Sequence, residues 1–434
     1  MSLLDAVRRD GLASERRPMP ILAFIRENAR WIAGGFLLTL FSAAGQTYFI
    51  SLSAGDIRAE YGLSHGQFGL LYMIATLASA LTLTRLGQIV DWLKVGRVTL
   101  VIVPALAAAS VAMALSGNIV LLTLAIYLLR LFGQGMMTHT AMTAMGRWFS
   151  AQRGRAISLV ALGQNAGEAL VPSLFVATAG AIGWRGAWGA AAALLVAVAL
   201  PAIFLLMRVE RTPRAGDPAI RADTGRDWTR AEVVRDPVFY LLLLGVLAPS
   251  FIGTTIFFHQ IYLVELRGWT MEFFASTFAL MAGATIVCAL VCGALIDRFS
   301  AVRMLPFFLL PLAAACLVLA SFEGRWSAWA FMLLQGMSYG FASTLFGALW
   351  PEIYGTRHLG SVRSLVMAAG VFASAAGPGL TGYLIDRGVG YPDQILAMGV
   401  YSLAGASLLL LASRIIRRRT GAAGSFIQGA GATD

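Results

Sequence analysis

In the run "LVALGQNAGEALVPSLF", Leu159 to Phe175, one carboxylate interrupts an apolar stretch: Glu168, with Gln164 and Asn165 just ahead of it. At about 100° per residue, Gln164, Asn165, Glu168 and Pro172 fall within one arc of roughly 100°, while leucine, valine and alanine fill the opposite face. A lone carboxylate flanked by amides is suited to holding and releasing a proton, or to facing a polar ligand. Arg130 is its natural counter-ion, because no other basic residue lies inside a comparable apolar run, and Gln134 sits about 40° from it on a helix. Arg130 can pair with Glu168, receive an anion, or brace neighbouring segments. Glu168 in turn can be a coupling group or one half of a structural pair. Further polar stripes recur at helical spacing: Ser42, Gln46 and Ser53; Thr255, His259 and Tyr262; Gln335 and Tyr339. Each alone reads most simply as a helix–helix hydrogen bond. Together they describe a modestly polar lining, in which His259 can change charge near neutrality.

Other chemistries find little support. The four histidines (His65, His139, His259, His358) are dispersed, and Cys288, Cys292 and Cys316 lack zinc-site spacing. There is no phosphate-binding glycine loop for an ATP-driven pump. Neither an enzyme, a metal site nor a cofactor is expected, and energy has to come from gradients.

The elements that position these residues follow from composition. Hydrophobic residues make up 58% of the chain and charged ones 13%, against about 25% charged in soluble domains. The mean hydropathy is +0.74. Apolar stretches of about 20 residues recur throughout, each long enough as a helix to cross about 30 Å of hydrocarbon. This predicts an all-α polytopic membrane protein with twelve spans near 31–53, 66–88, 98–116, 119–145, 156–180, 186–207, 238–262, 272–296, 303–322, 326–349, 364–385 and 394–413. The first span is too long for a signal-peptide core and is read as retained. In lipid, a charged side chain at mid-span costs at least ~2.5 kcal/mol, so Glu168 is expected to face a central cavity and to change its proton occupancy as that cavity closes and opens.

Charge orients the chain. With the N-terminus in the cytoplasm, 27 of the 33 Lys and Arg fall on cytoplasmic segments and five outside (Arg58, Arg185, Arg267, Arg325, Arg387), with Arg130 within a span. The net charge of +11 is then met by lipid headgroups, and no nucleic-acid partner is needed. The expected organisation is a cytoplasmic segment 1–27, a six-helix bundle 28–207, a polar cytoplasmic loop 208–237, a second bundle 238–413 and a cytoplasmic tail 414–434. The halves echo each other: "GQIVD" (Gly87 to Asp91) returns as "GALID" (Gly293 to Asp297), Gln134-Gly135 as Gln335-Gly336, Trp148 as Trp350 and Pro172 as Pro378, all 201 to 206 residues later. Such repeats mark secondary transporters with a site at the repeat interface.

These features resemble the major facilitator superfamily. Its signature loop between spans two and three is similar to "GQIVDWLKVGR", which keeps Gly87, Asp91, Gly96 and Arg97. The copy "GALIDRFSAVR" keeps Gly293, Asp297, Arg298 and Arg303, with Ser300 where glycine is usual. The resemblance covers about residues 28 to 415 and implies two pseudo-symmetric six-helix bundles that alternate access to a site between them, with spans one, four, five, seven and ten along the path. A carboxylate such as Asp91 at a helix end can accept from a neighbouring helix N-terminus, which suits gating, or an orientation signal, better than substrate contact. Within the superfamily, "RWFSAQRGRAISLVALG" and "WPEIYGTRHLGSVRSLVMAAGVFASAAGPGL" resemble the bacterial monocarboxylate and oxalate–formate porters. The expectation is therefore a monomeric, proton-linked inner-membrane symporter for a small organic anion, import favoured. The alternatives are a proton–drug antiporter and a non-transporting membrane sensor. The polar stretches at either end are short for a signalling domain.

Overall fold

The structure, a computed structural model, describes residues 21–149, 152–211, 227–355 and 358–430. At residues 21, 91, 153, 297, 360, 361 and 420–430 it describes the backbone alone. The first twenty residues, most of the central loop and the last four residues lie outside this description.

The described chain is helical throughout, without a strand. The principal helices are α1 (Ile21–Phe41), α2 (Ala54–Tyr61), α3 (His65–Leu86), α4 (Val95–Ala114), α5 (Ile119–Leu129), α6 (Thr138–Trp148), α7 (Arg153–Leu194) and α8 (Leu200–Met207). After the central segment come α9 (Pro237–Val246), α10 (Ala248–Phe258), α11 (Gln260–Leu266), α12 (Phe278–Phe299), α13 (Leu310–Ser321), α14 (Arg325–Tyr354), α15 (Leu359–Asp386) and α16 (Tyr391–Ala430). Closed backbone hydrogen bonding is what lipid demands of any spanning segment, and helices supply it locally.

Among the described residues nine helices are long and apolar enough to cross a membrane, or ten with the bent pair Leu22–Gly45 and Thr47–Tyr61. The difference from twelve has a physical source at each place. One passing helix, Gly154–Met207, is 54 residues long and holds two expected spans. Gly183, at φ 76°, turns the chain between them, a conformation glycine adopts without a Cβ penalty. The other is α14, which has the length at 30 residues but carries Ser, Gln, Tyr and Trp side chains along it. The first span departs from a plain helix: its first part ends in a short 3₁₀ stretch, Ser42–Gly45, and a bend at Gln46 joins it to the second part at 44°.

Glycines set the close approaches. Gly163 and Gly167 of α7 face Phe36 and Leu40 of α1 so tightly that a Cβ at either would press on α1 backbone oxygens, and Thr39 Oγ1 donates to the Val160 carbonyl at 2.6 Å. The helices before residue 211 meet those after 227 in several places, among them the first span on α10 and α11, where Ser51 donates to Phe257 O at 2.6 Å and Gln260 to Tyr48 O at 2.8 Å. Gly66 and Gly69 of α3 pack on Pro378, Gly379 and Tyr383 of α15, and α7 packs on α12. Arg147 and Trp148 hold Glu210 at 3.1 and 2.9 Å, and Glu210 also accepts from the Val95 amide at 2.6 Å, which fastens the start of the central segment to the first helices. Its far end is fastened to the second set, where Asp236 accepts from Tyr354 and Arg419.

Candidate functional site

The break in the first span and a run of π-helix in the fourth face each other. Residues Arg130–Met137 are π-helical, and Gly45 and Gly133 touch there, so that a Cβ on Gly45 would stand 2.7 Å from the Gly133 Cα. In an unbroken helix the Phe49 amide would bond to the Gly45 carbonyl. Here it bonds to Gln46 O at 3.1 Å, which leaves the Gly45 oxygen open. Arg130 fills that vacancy. Its Nη1 donates to Gly45 O and to Thr47 Oγ1, both at 3.2 Å, and the guanidinium lies 5.4 Å from the Tyr72 ring centroid. Thr47 in turn shares a 2.6 Å hydrogen bond with the Tyr72 hydroxyl. The arginine is almost wholly buried, and its Nε has no partner.

Glu168 follows Gly167 on α7. It is 7% exposed and accepts one hydrogen bond, from Gln164 Nε2 at 3.3 Å. Among the described residues no ion pair joins it to Arg130. Tyr48, from the first span, and Tyr339, from α14, lie near it. Tyr48 Oη is buried without a hydrogen-bond partner, and Gln335, one turn before Tyr339, is wholly buried beside that tyrosine's hydroxyl. Gln335 and Tyr339 lie against Gly253 of α10, where any side chain would displace them. The structure thus brings Glu168, Gln164, Tyr48 and Tyr339 into one neighbourhood, with Gln335 beside Tyr339. Buried polar atoms without partners are costly, about 1–3 kcal/mol each, and mark where a ligand or water is expected.

The remaining residues distribute as follows. Asn165 is half-buried beside Gln164, and Gln134 is exposed. Gln46 is buried as the residue that starts the short helix Thr47–Ile50. Ser42 donates to Thr39 O, Ser53 accepts from Trp188 Nε1 at 3.0 Å, and Thr255 donates to Phe251 O. His259 is buried, with Nε2 3.1 Å from the Pro378 carbonyl oxygen, and Tyr262 packs on the His65 ring at 4.3 Å. His259 and Tyr262 therefore stand at the junction of α3, α10, α11 and α15 rather than beside Glu168.

In the paired signature loops, Gly87 is buried with His139 Nε2 3.2 Å from its carbonyl oxygen, Gly293 lies near Thr344, and Arg97, Arg298 and Arg303 are exposed. The side chains of Asp91 and Asp297 lie outside the described residues. Ser300 takes φ 79°, the conformation for which the usual glycine is suited. Beyond Thr47, Tyr48 and Tyr72, which the sequence did not single out, one more residue stands out only in the structure: Asp386, at the end of α15, which accepts three hydrogen bonds from the start of α3. A signal was present. "GYLID", Gly382 to Asp386, repeats the glycine-four-on-aspartate pattern of "GQIVD" and "GALID" a third time.

Apolar spanning helices around a buried polar centre make this a multi-pass membrane protein. The chain belongs to the Major Facilitator Superfamily, whose model matches residues 35–378. Among solved structures it is similar to a bacterial homologue of the human lysosomal transporter Spinster in its inward-facing, unoccupied conformation. The two share 18% identity and a TM-score of 0.71, over 93% of this chain and 99% of that one. The occupied, inward-facing form of such a homologue aligns at a TM-score of 0.64 and 18% identity, over 92% of this chain and 98% of that one. No curated protein sequence matches.

Proposed function

We propose that the protein moves a small organic solute across the cytoplasmic membrane by alternating access, driven by protons that bind at Glu168. The central loop and both termini face the cytoplasm in this reading, as the arginine asymmetry asks. The observation that carries it is the setting of Glu168: buried, hydrogen-bonded only to a neutral amide, and surrounded by hydroxyl and amide groups. An ionised carboxylate there has to stay wet or gain a partner, and a protonated one does not. Proton and solute therefore compete for, or cooperate at, the same group.

The geometry favours a neutral or cationic amphiphile exchanged against protons. Arg130 is engaged by Gly45, Thr47 and Tyr72, which leaves Glu168 as the charge the site offers a solute. The organic-anion symport suggested by the monocarboxylate and oxalate–formate resemblance is the second reading, and it requires the solute to draw Arg130 away from the first span. Purified protein in liposomes carrying a lumenal pH dye separates the two. Entry of an amphiphilic cation should make the lumen alkaline in antiport, whereas entry of a monocarboxylate should acidify it in symport. Solute movement with no change of lumenal pH would refute coupling of either kind.

A further inference from the structure

The two sets of helices are joined at the end of the bundle away from the chain termini, and the join has a removable part. Helix α3 begins there. The first amides of any helix lack intrahelical partners, and those at the start of α3 are satisfied in two ways. Ser64 and Gln67 form a capping box within their own segment: Gln67 N donates to Ser64 Oγ at 3.1 Å and Ser64 N to Gln67 Oε1 at 2.9 Å. The next two amides, His65 and Gly66, donate to Asp386 at 3.1 and 2.8 Å, and Ser64 Oγ donates to the same carboxylate at 2.6 Å. Asp386 belongs to α15, more than 300 residues later in the chain.

We propose that Asp386 is the latch of this face: a helix cap supplied by the second set of helices to the first, which has to be withdrawn each time the face opens. Three features support this beyond the cap itself. The carboxylate sits at the positive end of the α3 dipole, where a negative charge is stabilising. The adjoining surfaces are shaped for close approach: a Cβ on Gly69 would press on the Pro378 carbonyl, and one on Gly382 on the His65 carbonyl. His65 and His259, with ring centroids 5.9 Å apart, and Arg58 line a small cavity beside the joint. Opening thus breaks three bonds to one carboxylate at once and returns two helix-end amides to water. The latch acts on the balance of conformations and does not depend on the role given to Glu168.

The test is a distance measured between spin labels at positions 181 and 389, which lie at this end on opposite sides of the joint, in protein whose three cysteines are replaced by alanine. Asp386→Asn keeps the shape but loses the charge and one acceptor, and should raise the population with the labels apart about tenfold, as expected for the loss of charge-assisted bonds. Ser64→Ala removes one of the three bonds to Asp386, together with the cap on the Gln67 amide, and should give a smaller shift in the same direction. Gly69→Val should separate the labels by steric pressure and so verify that the pair reports opening. If Asp386→Asn and Ser64→Ala both give the unmodified distance distribution while Gly69→Val shifts it, Asp386 is not a latch. Should Asp386→Asn fail to fold, an unshifted Ser64→Ala refutes the proposal on its own.

Discussion

Arg130→Met separates a brace from an anion receptor. The substitution roughly preserves side-chain volume and removes the guanidinium from Gly45 O, Thr47 Oγ1 and the face of Tyr72. Two charge-assisted hydrogen bonds shared by one nitrogen contribute about 1.5 kcal/mol each at the low end of their range. The cation–π contact at 5.4 Å adds ~0.5–1 kcal/mol. Against these stands the relief of an Nε that is buried without a partner, about 1–3 kcal/mol. The net loss is about 2 kcal/mol. Spread over a six-helix unit, that lowers an apparent melting temperature by roughly 4–8 °C, at ~2–4 °C per kcal/mol. Melting of the detergent-purified variant, followed by tryptophan fluorescence beside a solute-binding assay, gives both readouts. A brace predicts a lowered melting temperature with solute affinity changed a few fold at most. An unchanged melting temperature with binding abolished would refute the brace and restore Arg130 as an anion ligand.

Three further substitutions have definite expected outcomes. Gly45→Ala places a Cβ against Gly133 and Gln134 backbone and should cost at least ~3 kcal/mol or prevent folding, whereas Gly117→Ala, with open space around it, should melt as the parent does. Ser300→Gly should raise stability by about 1 kcal/mol by relieving φ 79°, and a fall in melting temperature would show that the serine side chain contributes more than the strain costs. On the gating reading that the signature loops imply, Asp91→Asn and Asp297→Asn should slow transport while leaving solute affinity within a few fold, and a large affinity loss would place them in the binding site.

The spans were legible because a bilayer demands about 20 apolar residues per helix, and chains that meet the demand advertise it. The exceptions are instructive. No hydropathy pattern marks the break at Ser42–Gly45 or the π-helix at Arg130–Met137, because both arise where Gly45 and Gly133 touch, 88 positions apart. For the same reason the role of Arg130 was readable only as a set of alternatives: the carbonyl it fills exists only once the first span has broken. Glu168 was plain on its helical face, since a carboxylate among leucines stands out. That Tyr48 and Tyr339 would join it depends on packing across three helices. His259 followed a helical stripe that ends at the joint between α3 and α15, because α10 gives way to α11 at that residue. Asp386 was hidden in plain view, its partners lying 320 to 322 positions away.

Whether Glu168 carries the coupling proton is tested most directly by removing its charge. Glu168→Gln fixes the neutral form with its hydrogen-bonding shape nearly intact. It is to be reconstituted into liposomes and compared with the parent in two assays on a solute that the parent transports: movement driven by an imposed pH gradient, and counterflow without one. Retained counterflow with gradient-driven movement lost is the expected result. Full gradient-driven movement in Glu168→Gln would show that the carboxylate is structural and that protons act elsewhere in the protein.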